Sequence, residues 1–354
     1  MLSCPLSTTE VAEFAPALLR WQRRHGRHDL PWQSSREPYR RWVSEIMLQQ
    51  TQVTTVIPYF LRFMSRFPDV ASLAAAELGE VLQVWAGLGY YRRARNLHAS
   101  ARLVVTDYGG VFPDTSDALQ RLPGIGRSTA AAIAAFAFNR RAAILDGNVK
   151  RVLARYFAVP GYPGDAAVER ELWRLSEALL PRREISRYTQ ALMDLGALVC
   201  TRQPRCNDCP LVTGCKARRE QRVAEFPAPR RRVRRPLRRA RFLIALNNKS
   251  VLLVRRPDLG IWGGLLCPPE LPADSELADR ELRRFGCNGA GRDLPAIRHG
   301  FTHFSLDIVP LLCRAELAQR HIAEPGLVWL PLNQIGAAAL PAPFKKLLLR
   351  LAGA

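Results

Sequence analysis

The residues Leu122-Pro123-Gly124-Ile125-Gly126-Arg127-Ser128-Thr129-Ala130 are typical of a glycine turn that opens a helix of small residues. Such a turn leaves backbone N–H groups free at the helix start, where they and the helix dipole can hold a phosphate. A dinucleotide-binding fingerprint is excluded because the third glycine and the preceding strand are missing. Two interpretations of the local pattern stay open: an ordinary turn between helices, and a helix-hairpin-helix motif that grips the DNA backbone.

The charge of the whole chain favours the second interpretation. Its 354 residues include 52 Lys and Arg against 31 Asp and Glu, which gives a formal net charge of +21 at pH 7. A protein this basic favours polyanionic partners, either nucleic acid or an acidic membrane surface. We therefore expect Gly124, Gly126 and Ser128 to face DNA.

Length and composition predict two folded domains, since 354 residues exceed one usual hydrophobic core and 48% of them are apolar. Residues 1–20 include Glu10 and Glu13 and lack the basic start and apolar run of a secretory signal, which predicts a cytoplasmic protein. The longest apolar stretch, Ala130 to Phe138, has nine residues, whereas a membrane helix needs about 18 or more. We therefore expect no membrane segment, and we expect the chain to act as a monomer.

Helical periodicity dominates residues 8–200 and predicts an all-α half. The predicted helices are Val11–Arg24, Tyr39–Phe67, Ala71–Trp85, Tyr91–Tyr108, Ser128–Phe138, Val149–Phe157, Ala166–Leu180 and Arg187–Cys200. Residues 216–241 follow with twelve Lys or Arg against Glu220 and Glu225, and with three prolines. This composition favours a basic linker over a helix or a strand.

Beyond the linker the pattern becomes that of strands. Phe242–Leu246 and Val251–Arg255 flank a predicted hairpin turn at Asn247-Asn248-Lys249, and Phe301–Leu312 is a third strand-like run. Predicted helices near Glu276–Phe285 and Phe344–Leu351 make this second domain α+β.

Four of the eight cysteines lie within sixteen residues, with the spacing C-x5-C-x2-C-x5-C. They are Cys200, Cys206, Cys209 and Cys215. Cysteines this close in a cytoplasmic chain indicate metal ligands rather than disulfides. A compact run with a single CxxC favours a [4Fe–4S] cluster, and structural zinc is the alternative, although zinc usually takes two well-separated pairs. Arg202 and Arg205 lie between the first two ligands, where they can offer guanidinium groups to phosphates.

Two carboxylates have both an ordinary and a catalytic interpretation. Glu45 lies beside the apolar stripe of its helix, which is typical of a solvated residue, and Asp146 precedes a predicted helix, which is typical of an N-cap. Cleavage of a glycosidic bond, however, uses one carboxylic acid to protonate the leaving group and one carboxylate to stabilise the sugar cation. Tyr90 likewise is either an ordinary aromatic residue or a wedge that fills the gap left by a flipped base.

Five segments together resemble the MutY-type adenine DNA glycosylases, over nearly the whole chain. They are Glu45-Ile46-Met47-Leu48-Gln49-Gln50-Thr51, Gly87-Leu88-Gly89-Tyr90-Tyr91, the Leu122 hairpin, Leu145-Asp146-Gly147-Asn148-Val149-Lys150-Arg151 and the cysteine run. The resemblance implies a helix-hairpin-helix glycosylase domain with an iron-sulfur cluster over residues 1–217, a basic linker over 218–237 and a Nudix-like domain that recognises 8-oxoguanine over 238–354. The implied partner is duplex DNA with adenine opposite 8-oxoguanine or guanine.

The resemblance also implies a role for individual residues. Glu45 would protonate adenine, Asp146 would stabilise the sugar cation, and Asn148 would orient that site. Gln50 and Tyr90 would probe or wedge the base stack near 8-oxoguanine. Trp32 and Gln190 would line the adenine pocket.

Three positions depart from the family pattern. The first two cysteines are separated by five residues here instead of the usual six. Ser128 stands where some relatives have Tyr. The loop that reads 8-oxoguanine, commonly Phe-Ser-His, is Phe301-Thr302-His303 here, and Thr302 keeps the hydroxyl with an added methyl.

Three other functions compete with this interpretation. An endonuclease III-like enzyme, which also nicks the backbone, needs a lysine nucleophile where this chain has Ser128. A Nudix hydrolase is suggested by Gly264, Glu270 and Arg280-Glu281-Leu282, but Arg283, Arg284 and Phe285 occupy the positions of the metal-binding glutamates. A DNA-binding redox sensor would explain the charge and the cysteines but would leave Glu45 without a task.

Overall fold

The computed structural model describes residues 8–230, 235–257, 260–289, 291–301, 303–316 and 326–353. The chain divides into two compact units, and the division does not follow sequence order. The first unit contains Met1–Ala75 and Asn96–Arg232, and the second contains Ala76–Arg95 and Val233–Ala354. The segment Ala76–Arg95 therefore belongs with the C-terminal part of the chain.

The N-terminal two thirds of the chain is helical, as its periodicity predicts. The helices are α1 (Thr8–His25), α2 (Pro38–Leu48), α3 (Val53–Arg66), α4 (Val70–Ala75), α5 (Leu78–Trp85), α6 (Arg92–Tyr108), α7 (Ser116–Leu119), α8 (Arg127–Phe138), α9 (Gly147–Tyr156), α10 (Ala166–Ala178), α11 (Ile185–Asp194) and α12 (Lys216–Arg219). Two predicted long helices are wrong in extent. Residues 39–67 form α2 and α3, because the chain turns at Gln50, whose φ is +60°, and α3 begins after Gln52. Residues 71–85 form α4 and α5.

Helix α8 is the centre of the first unit. Every residue from Ala130 to Phe136 is buried, six of the seven are alanine or isoleucine, and α8 contacts α2, α7 and α11. Small side chains let neighbouring helices approach closely, which explains why the run of alanines that follows the glycine turn lies inside the protein.

The glycine turn before α8 has the geometry that its sequence predicts. Gly124 has a φ of +79°, in the left-handed region that favours glycine, and a Cβ there would lie 2.7 Å from the Asn96 side chain. Its carbonyl oxygen accepts a hydrogen bond from Gln49 Nε2 at 3.3 Å. Gly126 is the N-cap of α8 with a φ of −86°, so the first N–H groups of the helix have no side-chain cap.

The predicted helix over residues 187–200 is also interrupted. Helix α11 ends at Asp194, and the chain continues as a π-helix over Leu195–Val199 before reaching Cys200. π-Helical turns are rare and concentrate at functional sites.

The second unit is built on one mixed sheet. Its strands are β1 (Leu237–Asn247), β2 (Ser250–Arg255), β3 (Leu266–Cys267), β4 (Glu270–Leu271), β5 (Arg292–Asp293), β6 (Ile297–Gly300), β7 (Ser305–Arg314) and β8 (Leu327–Pro331), with helices α13 (Ser275–Arg284) and α14 (Ala342–Ala352). Strand β1 pairs with β7 in parallel and with β2 in an antiparallel hairpin. The predicted turn is confirmed: Asn247 pairs with Ser250, and Asn248 has a φ of +49°.

The predicted strand over residues 301–312 is wrong at its start. Strand β7 begins at Ser305, because Phe301 N–H donates to Phe304 O at 2.9 Å and closes a turn. The basic segment also holds more structure than its prolines suggest. Arg218 and Arg219 end α12, Val223–Glu225 is a single 3-10 turn, and β1 begins at Leu237.

Among the described residues, no helix combines the length and the apolar character that crossing a membrane would require.

The glycine turn gives a matched pair of substitutions. Gly124→Ser forces a side chain into a left-handed backbone conformation and against Asn96, so we expect a loss of about 1 to 3 kcal/mol in the free energy of unfolding. Gly126→Ser adds the same side chain at an ordinary φ and at an N-cap position where serine is favourable, so its change should stay within about 0.5 kcal/mol. Urea unfolding of the two variants checks this. Equal losses would contradict the assigned role of Gly124.

Candidate active site

Glu45 and Asp146, about a hundred residues apart in the chain, line the same pocket in the first unit. Glu45 lies on α2, and Asp146 is the N-cap of α9. The pocket has a volume of about 930 Å³, and Gln50, Ser128 and Asn148 also line it. The fold therefore brings together the two carboxylates, with three other predicted site residues around them.

The Glu45 side chain is half-buried, packed among protein atoms but open to the pocket. The pKa of Glu45 is raised from 4.5 to about 8, chiefly by burial and also by the negative charge of Asp146, and the charge of Arg41 offsets part of this rise. Arg41 precedes Glu45 by one turn on α2, where residues four apart are neighbours. Glu45 consequently keeps its proton at neutral pH, as a general acid must.

Asp146 has a different environment. Burial raises the pKa of Asp146 above its usual range, and two backbone N–H groups, the Asn148 amide and the charge of Arg151 offset part of this rise. Its Oδ1 accepts from Val149 N–H at 2.8 Å, and its Oδ2 accepts from Asn148 Nδ2 at 3.3 Å. Hydrogen bonds of this kind favour the ionised form. The two carboxyls thus differ in their surroundings, because hydrogen bonds support the charged form of Asp146, whereas burial dominates at Glu45.

Arg151 connects this site to the first cysteine of the run. Its Nη2 donates to Asn148 Oδ1 at 2.8 Å and to Gly196 O at 2.7 Å, and its Nε donates to Cys200 O at 2.7 Å. The approach is close, because a Cβ at Gly196 would lie 2.6 Å from the Asn148 side chain. Arg151 therefore ties Asn148 to the segment that enters the cysteine loop.

Cys200, Cys206, Cys209 and Cys215 line one cavity beside α9, and none of them is in a disulfide. Arg155 binds the same loop, with Nη1 donating to Thr201 O at 2.6 Å and lying 3.4 Å from Cys200 Sγ. Burial raises the pKa of the Cys209 thiol to about 12. In the part of the chain that the structure describes, no three His, Cys, Asp or Glu side chains are arranged to hold a metal ion.

Other predicted site residues of the first unit lie in several places. Gln50 is exposed at the pocket, and Ser128 Oγ accepts from Leu145 N–H at 2.9 Å. Trp32 is 3% exposed, packs edge-on against Phe60, and is not among the residues that line the pocket. Gln190 lines a second cavity, and its Nε2 donates to Asp194 Oδ1 at 2.8 Å.

The remaining predicted residues lie in the second unit. Tyr90 is 54% exposed and has a φ of +49°. Phe301 stacks on Phe304 with ring centroids 4.6 Å apart and also contacts Trp262. His303 is exposed, and Thr302 lies outside the described residues.

Sequence analysis missed Gln49, Arg27 and the bridging role of Arg151. Arg27 lines the pocket and binds buried Asp194 with both its backbone N–H and its guanidinium. Gln49 links the hairpin to α2 and lines the pocket as well. The quoted segments contain Gln49 and Arg151, but only the tertiary contacts show what each side chain binds.

Known protein families match both parts of the chain. The model for the HhH-GPD superfamily base excision DNA repair protein matches residues 43–178, and a NUDIX domain model matches residues 241–350. The chain is 36% identical over 341 residues to adenine DNA glycosylase of Buchnera aphidicola subsp. Acyrthosiphon pisum (strain APS), covering 95% of this chain and 96% of that protein. This chain belongs to the adenine DNA glycosylase family. A family member from Mus musculus is 37% identical over 407 residues, covering 95% of this chain and 77% of that protein.

Two solved structures of DNA glycosylase and endonuclease III cover about 60% of the chain. A thermostable thymine-DNA glycosylase superposes with a TM-score of 0.54 at 29% identity, covering 60% of this chain and 98% of that one. An endonuclease III–DNA complex has a TM-score of 0.52 at 23% identity, with 61% and 99% covered, and shows likeness of fold alone.

In this member of the adenine DNA glycosylase family, the two glutamates that suggested a Nudix hydrolase both form ion pairs. Glu270 binds Arg256 at 3.0 Å, and Glu281 binds Arg284 at 3.0 Å. Neither glutamate is therefore left as a free carboxylate for Mg²⁺.

The raised pKa of Glu45 predicts a pH-dependent stability difference. Between the ordinary value of 4.5 and about 8, the folded protein holds a proton that the unfolded chain releases, so the parent loses up to about 1.4 kcal/mol per pH unit as pH rises. Glu45→Gln does not suffer this loss. We expect its stability relative to the parent to grow from pH 5 to pH 8, as measured by urea unfolding. Glu13→Gln, an exposed substitution on α1, is the control, and a pH-independent difference for Glu45→Gln would contradict the raised pKa.

Proposed function

We propose that this chain is a base excision repair glycosylase that hydrolyses the N-glycosidic bond of adenine opposite 8-oxoguanine or guanine in duplex DNA. The observation that carries the proposal is the pair Glu45 and Asp146 on one pocket, with pKa values shifted by different environments. A pocket of about 930 Å³ has room for a nucleotide turned out of the base stack, which this chemistry requires.

Glu45 is the general acid of the proposed reaction. Its proton passes to a ring nitrogen of adenine as the bond between C1′ and the base breaks, and the bonding electron pair leaves with the base. The base departs as neutral adenine, and the sugar is left as an oxocarbenium ion.

Asp146 stabilises that cation. Its carboxylate is held by Val149 N–H and Asn148 Nδ2, so its charge is fixed before the sugar becomes positive. Water then bonds to C1′, and the proton that it releases passes to a carboxylate of the pair, which restores the neutral acid for the next cycle. Asn148 orients Asp146, and Arg151 in turn fixes Asn148 by donating a hydrogen bond to its Oδ1.

Backbone cleavage through a Schiff base is not proposed. The position of a lysine nucleophile is held by Ser128, whose hydroxyl is engaged with Leu145 N–H. Lys150, on the nearby α9, is paired with Glu169 at 2.6 Å. Ser128 has no amino group, and the amino group of Lys150 is engaged in an ion pair. Base removal without strand cleavage therefore fits the site.

The duplex would be gripped by the hairpin and by the basic loops. Gly124 and Gly126 leave N–H groups free at the start of α8, where a phosphate binds favourably. Gln50, exposed at the mouth of the pocket with a left-handed backbone, is suited to probe the stack. Tyr90, also exposed with a left-handed backbone, is suited to act as a wedge.

A [4Fe–4S] cluster is proposed as the resident cofactor, held by Cys200, Cys206, Cys209 and Cys215. Four thiols on one cavity form a suitable donor set, and Arg155 lies beside the first of them. When bound, the cluster would order the loop that carries Arg202 and Arg205, so that both can meet DNA phosphates. Structural zinc on the same thiols is the alternative.

The second unit is proposed to read 8-oxoguanine through Phe301, Thr302 and His303. Phe301 is anchored by Phe304 and Trp262, and its turn leaves the adjacent His303 exposed. An anchored aromatic residue near an exposed histidine is suited to recognising a base edge.

The first prediction from the proposed function concerns catalysis. Glu45→Gln removes the proton donor, and Asp146→Asn removes the charge, so single-turnover excision of adenine should fall by about 10² or more while duplex binding survives. The parent rate should decrease as pH rises through about 8, where Glu45 loses its proton. Alkali-labile strands from a duplex with adenine opposite 8-oxoguanine measure excision, with Glu13→Gln as control. Near-normal excision by Glu45→Gln, or efficient strand cleavage without alkali, would reject the mechanism.

The second prediction concerns the cofactor. Anaerobically purified protein should be brown, contain iron and sulfide in near-equal amounts, and absorb broadly near ~400 nm. Cys209→Ser should lose the colour, whereas Cys267→Ser, buried in the second unit, should keep it. Colourless protein with stoichiometric zinc would establish the alternative.

The third prediction concerns lesion recognition in the full-length chain. Thr302→Ala and His303→Ala should each reduce the preference for 8-oxoguanine over guanine opposite adenine, by up to about 1 to 3 kcal/mol if a specific base contact is lost. Single-turnover rates on the two duplexes give the ratio, and His25→Ala, also exposed, is the control. An unchanged ratio in both variants would assign lesion recognition to other residues.

A further inference from the structure

Tyr90 ends a turn, residues 87–90, whose backbone is held by side chains of the same segment; this is the wedge turn. Trp85 Nε1 and Arg93 Nη2 each donate to the carbonyl oxygen of Gly89 at 3.1 Å. The backbone N–H of Arg93 donates to Tyr90 O at 2.8 Å, which joins the wedge turn to the start of α6. The exposed ring of Tyr90 is therefore attached to a backbone that is fixed relative to α6.

Arg95, in the first turn of α6, binds a second turn of the same unit, residues 262–265, which is called the support turn. In the support turn, Leu265 N–H donates to Trp262 O at 3.0 Å, and Gly264 has a φ of +73°. A glycine with positive φ at the third position is typical of a type II turn. Arg95 Nη1 donates to the carbonyl oxygen of Gly263, which is a buried residue. Because a buried carbonyl needs a donor, this bond fixes the direction of the peptide between the two glycines.

Trp262 connects the support turn to the reading turn, residues 301–304, which is proposed to recognise 8-oxoguanine. The φ of Trp262 is +56°, which is uncommon for a residue other than glycine, so the direction of its side chain depends on the geometry of the support turn. Its ring centroid lies 5.4 Å from that of Phe301 and 5.9 Å from that of His299. A change in the support turn would therefore move a ring against which Phe301 packs.

A second link leads from the wedge turn to the same aromatic ring. Tyr91 Oη accepts from Gly87 N–H at 3.2 Å and donates to Leu340 O at 3.4 Å. Leu340 lies two residues before the start of α14, and Phe344 of that helix packs on Trp262 with ring centroids 5.3 Å apart. The wedge turn is thus tied at two points to the structure that supports the reading turn.

A fixed connection between the two turns matters because both are proposed to contact the same lesion pair. Two contacts that are held in one arrangement form together, so the second contact costs less entropy than it would if the two segments moved independently. Lesion preference then depends on the connection as well as on the residues that touch the bases.

We propose that Arg95 is a positioning residue for lesion recognition, which couples the wedge turn to the reading turn through the support turn. The proposal rests on the proposed function, since it requires Tyr90 and the reading turn to contact the lesion pair. Arg95 itself needs no contact with DNA. Its loss would leave the two carboxylates of the first unit in place and would reduce the discrimination between 8-oxoguanine and guanine.

The physical link can be tested without DNA, in the full-length protein labelled with 5-fluorotryptophan. Arg95→Met removes every guanidinium donor, and Arg92→Met is the matched control, because it removes the same charge from an exposed position three residues earlier on α6. The fluorine resonance of Trp262 reports on the support turn. Trp329 belongs to a different hydrophobic cluster of the same unit and reports on changes to the whole unit. Trp262→Phe and Trp329→Phe assign the two resonances.

We expect the Trp262 resonance to shift or broaden in Arg95→Met and to keep its parent position in Arg92→Met, with Trp329 unchanged in both. Arg95→Lys retains a charged donor and should restore part of the parent spectrum. An unchanged Trp262 resonance in Arg95→Met would overturn the proposal, because Arg95 would not support the turn. An equal change at Trp329 would also overturn it, because Arg95 would then only stabilise the unit as a whole. If Arg95→Met does not fold, Arg95→Gln repeats the test.

The coupling itself is tested by lesion preference, the ratio of single-turnover excision rates opposite 8-oxoguanine and guanine. The ratio is measured for the parent, Tyr90→Leu, His303→Ala and the double variant, and again with Arg95→Met or Arg92→Met present. Coupled contacts are not additive, so the loss of preference in the double variant should fall short of the product of the two single losses by about fivefold or more. With Arg95→Met this shortfall should be less than about twofold, and with Arg92→Met it should persist.

Independent losses in the parent, or an equal shortfall with Arg95→Met, would overturn the coupling. Absence of excision by the parent would instead reject the proposed function. The fluorine spectra need no DNA and no excision, so they distinguish the two failures.

Discussion

The arrangement of the pocket that holds Glu45 and Asp146 depends on one hydrogen bond, from Val149 N–H to Asp146 Oδ1 at 2.8 Å. An N-cap carboxylate satisfies a backbone donor that the helix cannot satisfy itself and interacts favourably with the helix dipole. Here the same bond fixes the direction of the carboxylate and the start of α9. Because α9 also carries Asn148, Arg151 and Arg155, the position of this helix sets the contacts between the pocket and the cysteine loop.

The two buried carboxyls also reduce the stability of the folded protein. Burying one carboxyl disfavours its charged form, and a second negative charge beside it adds repulsion. The protein offsets this cost unevenly. Asp146 accepts hydrogen bonds from several donors, and each of them favours its charged form. At Glu45, the charge of Arg41 is the one such influence, so this side chain keeps its proton at neutral pH. Two chemically similar side chains therefore receive unequal support for their charged forms, because different backbone and cationic groups surround each one.

Much of this arrangement could be predicted from the sequence, and the exceptions share a physical cause. Helix type, the hairpin at Gly124, the turn at Asn248 and the cap at Asp146 depend on local geometry, which short sequence patterns encode. The N-cap interpretation of Asp146 was correct without excluding its place in the pocket. The sequence left the role of Glu45 open, because the periodicity of its own helix places it on the flank of the apolar stripe. The flank is covered by residues that are distant in sequence, and only tertiary packing brings them there.

The break between α2 and α3 and the placement of Trp32 and Gln190 were beyond local patterns for the same reason. Gln50 has a left-handed backbone conformation. Sequence patterns indicate this conformation by a glycine, and no glycine stands at this position. Trp32 is buried against Phe60, and Gln190 binds Asp194 and lines a second cavity. Which side chain a core residue contacts depends on how the helices pack, and the 3.6-residue period does not contain that information.

The discontinuous composition of the second unit has a consequence for biosynthesis. Ala76–Arg95 leaves the ribosome well before Val233–Ala354, with which it forms a compact unit. Within that unit, Tyr91 Oη donates to Leu340 O at 3.4 Å, and Arg95 donates to Gly263 O. Contacts between residues so far apart in sequence form late and slow the folding of a chain. The bonds from the early segment to Gly263 and Leu340 can therefore form only after those residues have been synthesised, so this unit can complete its folding only when translation of the chain is nearly finished.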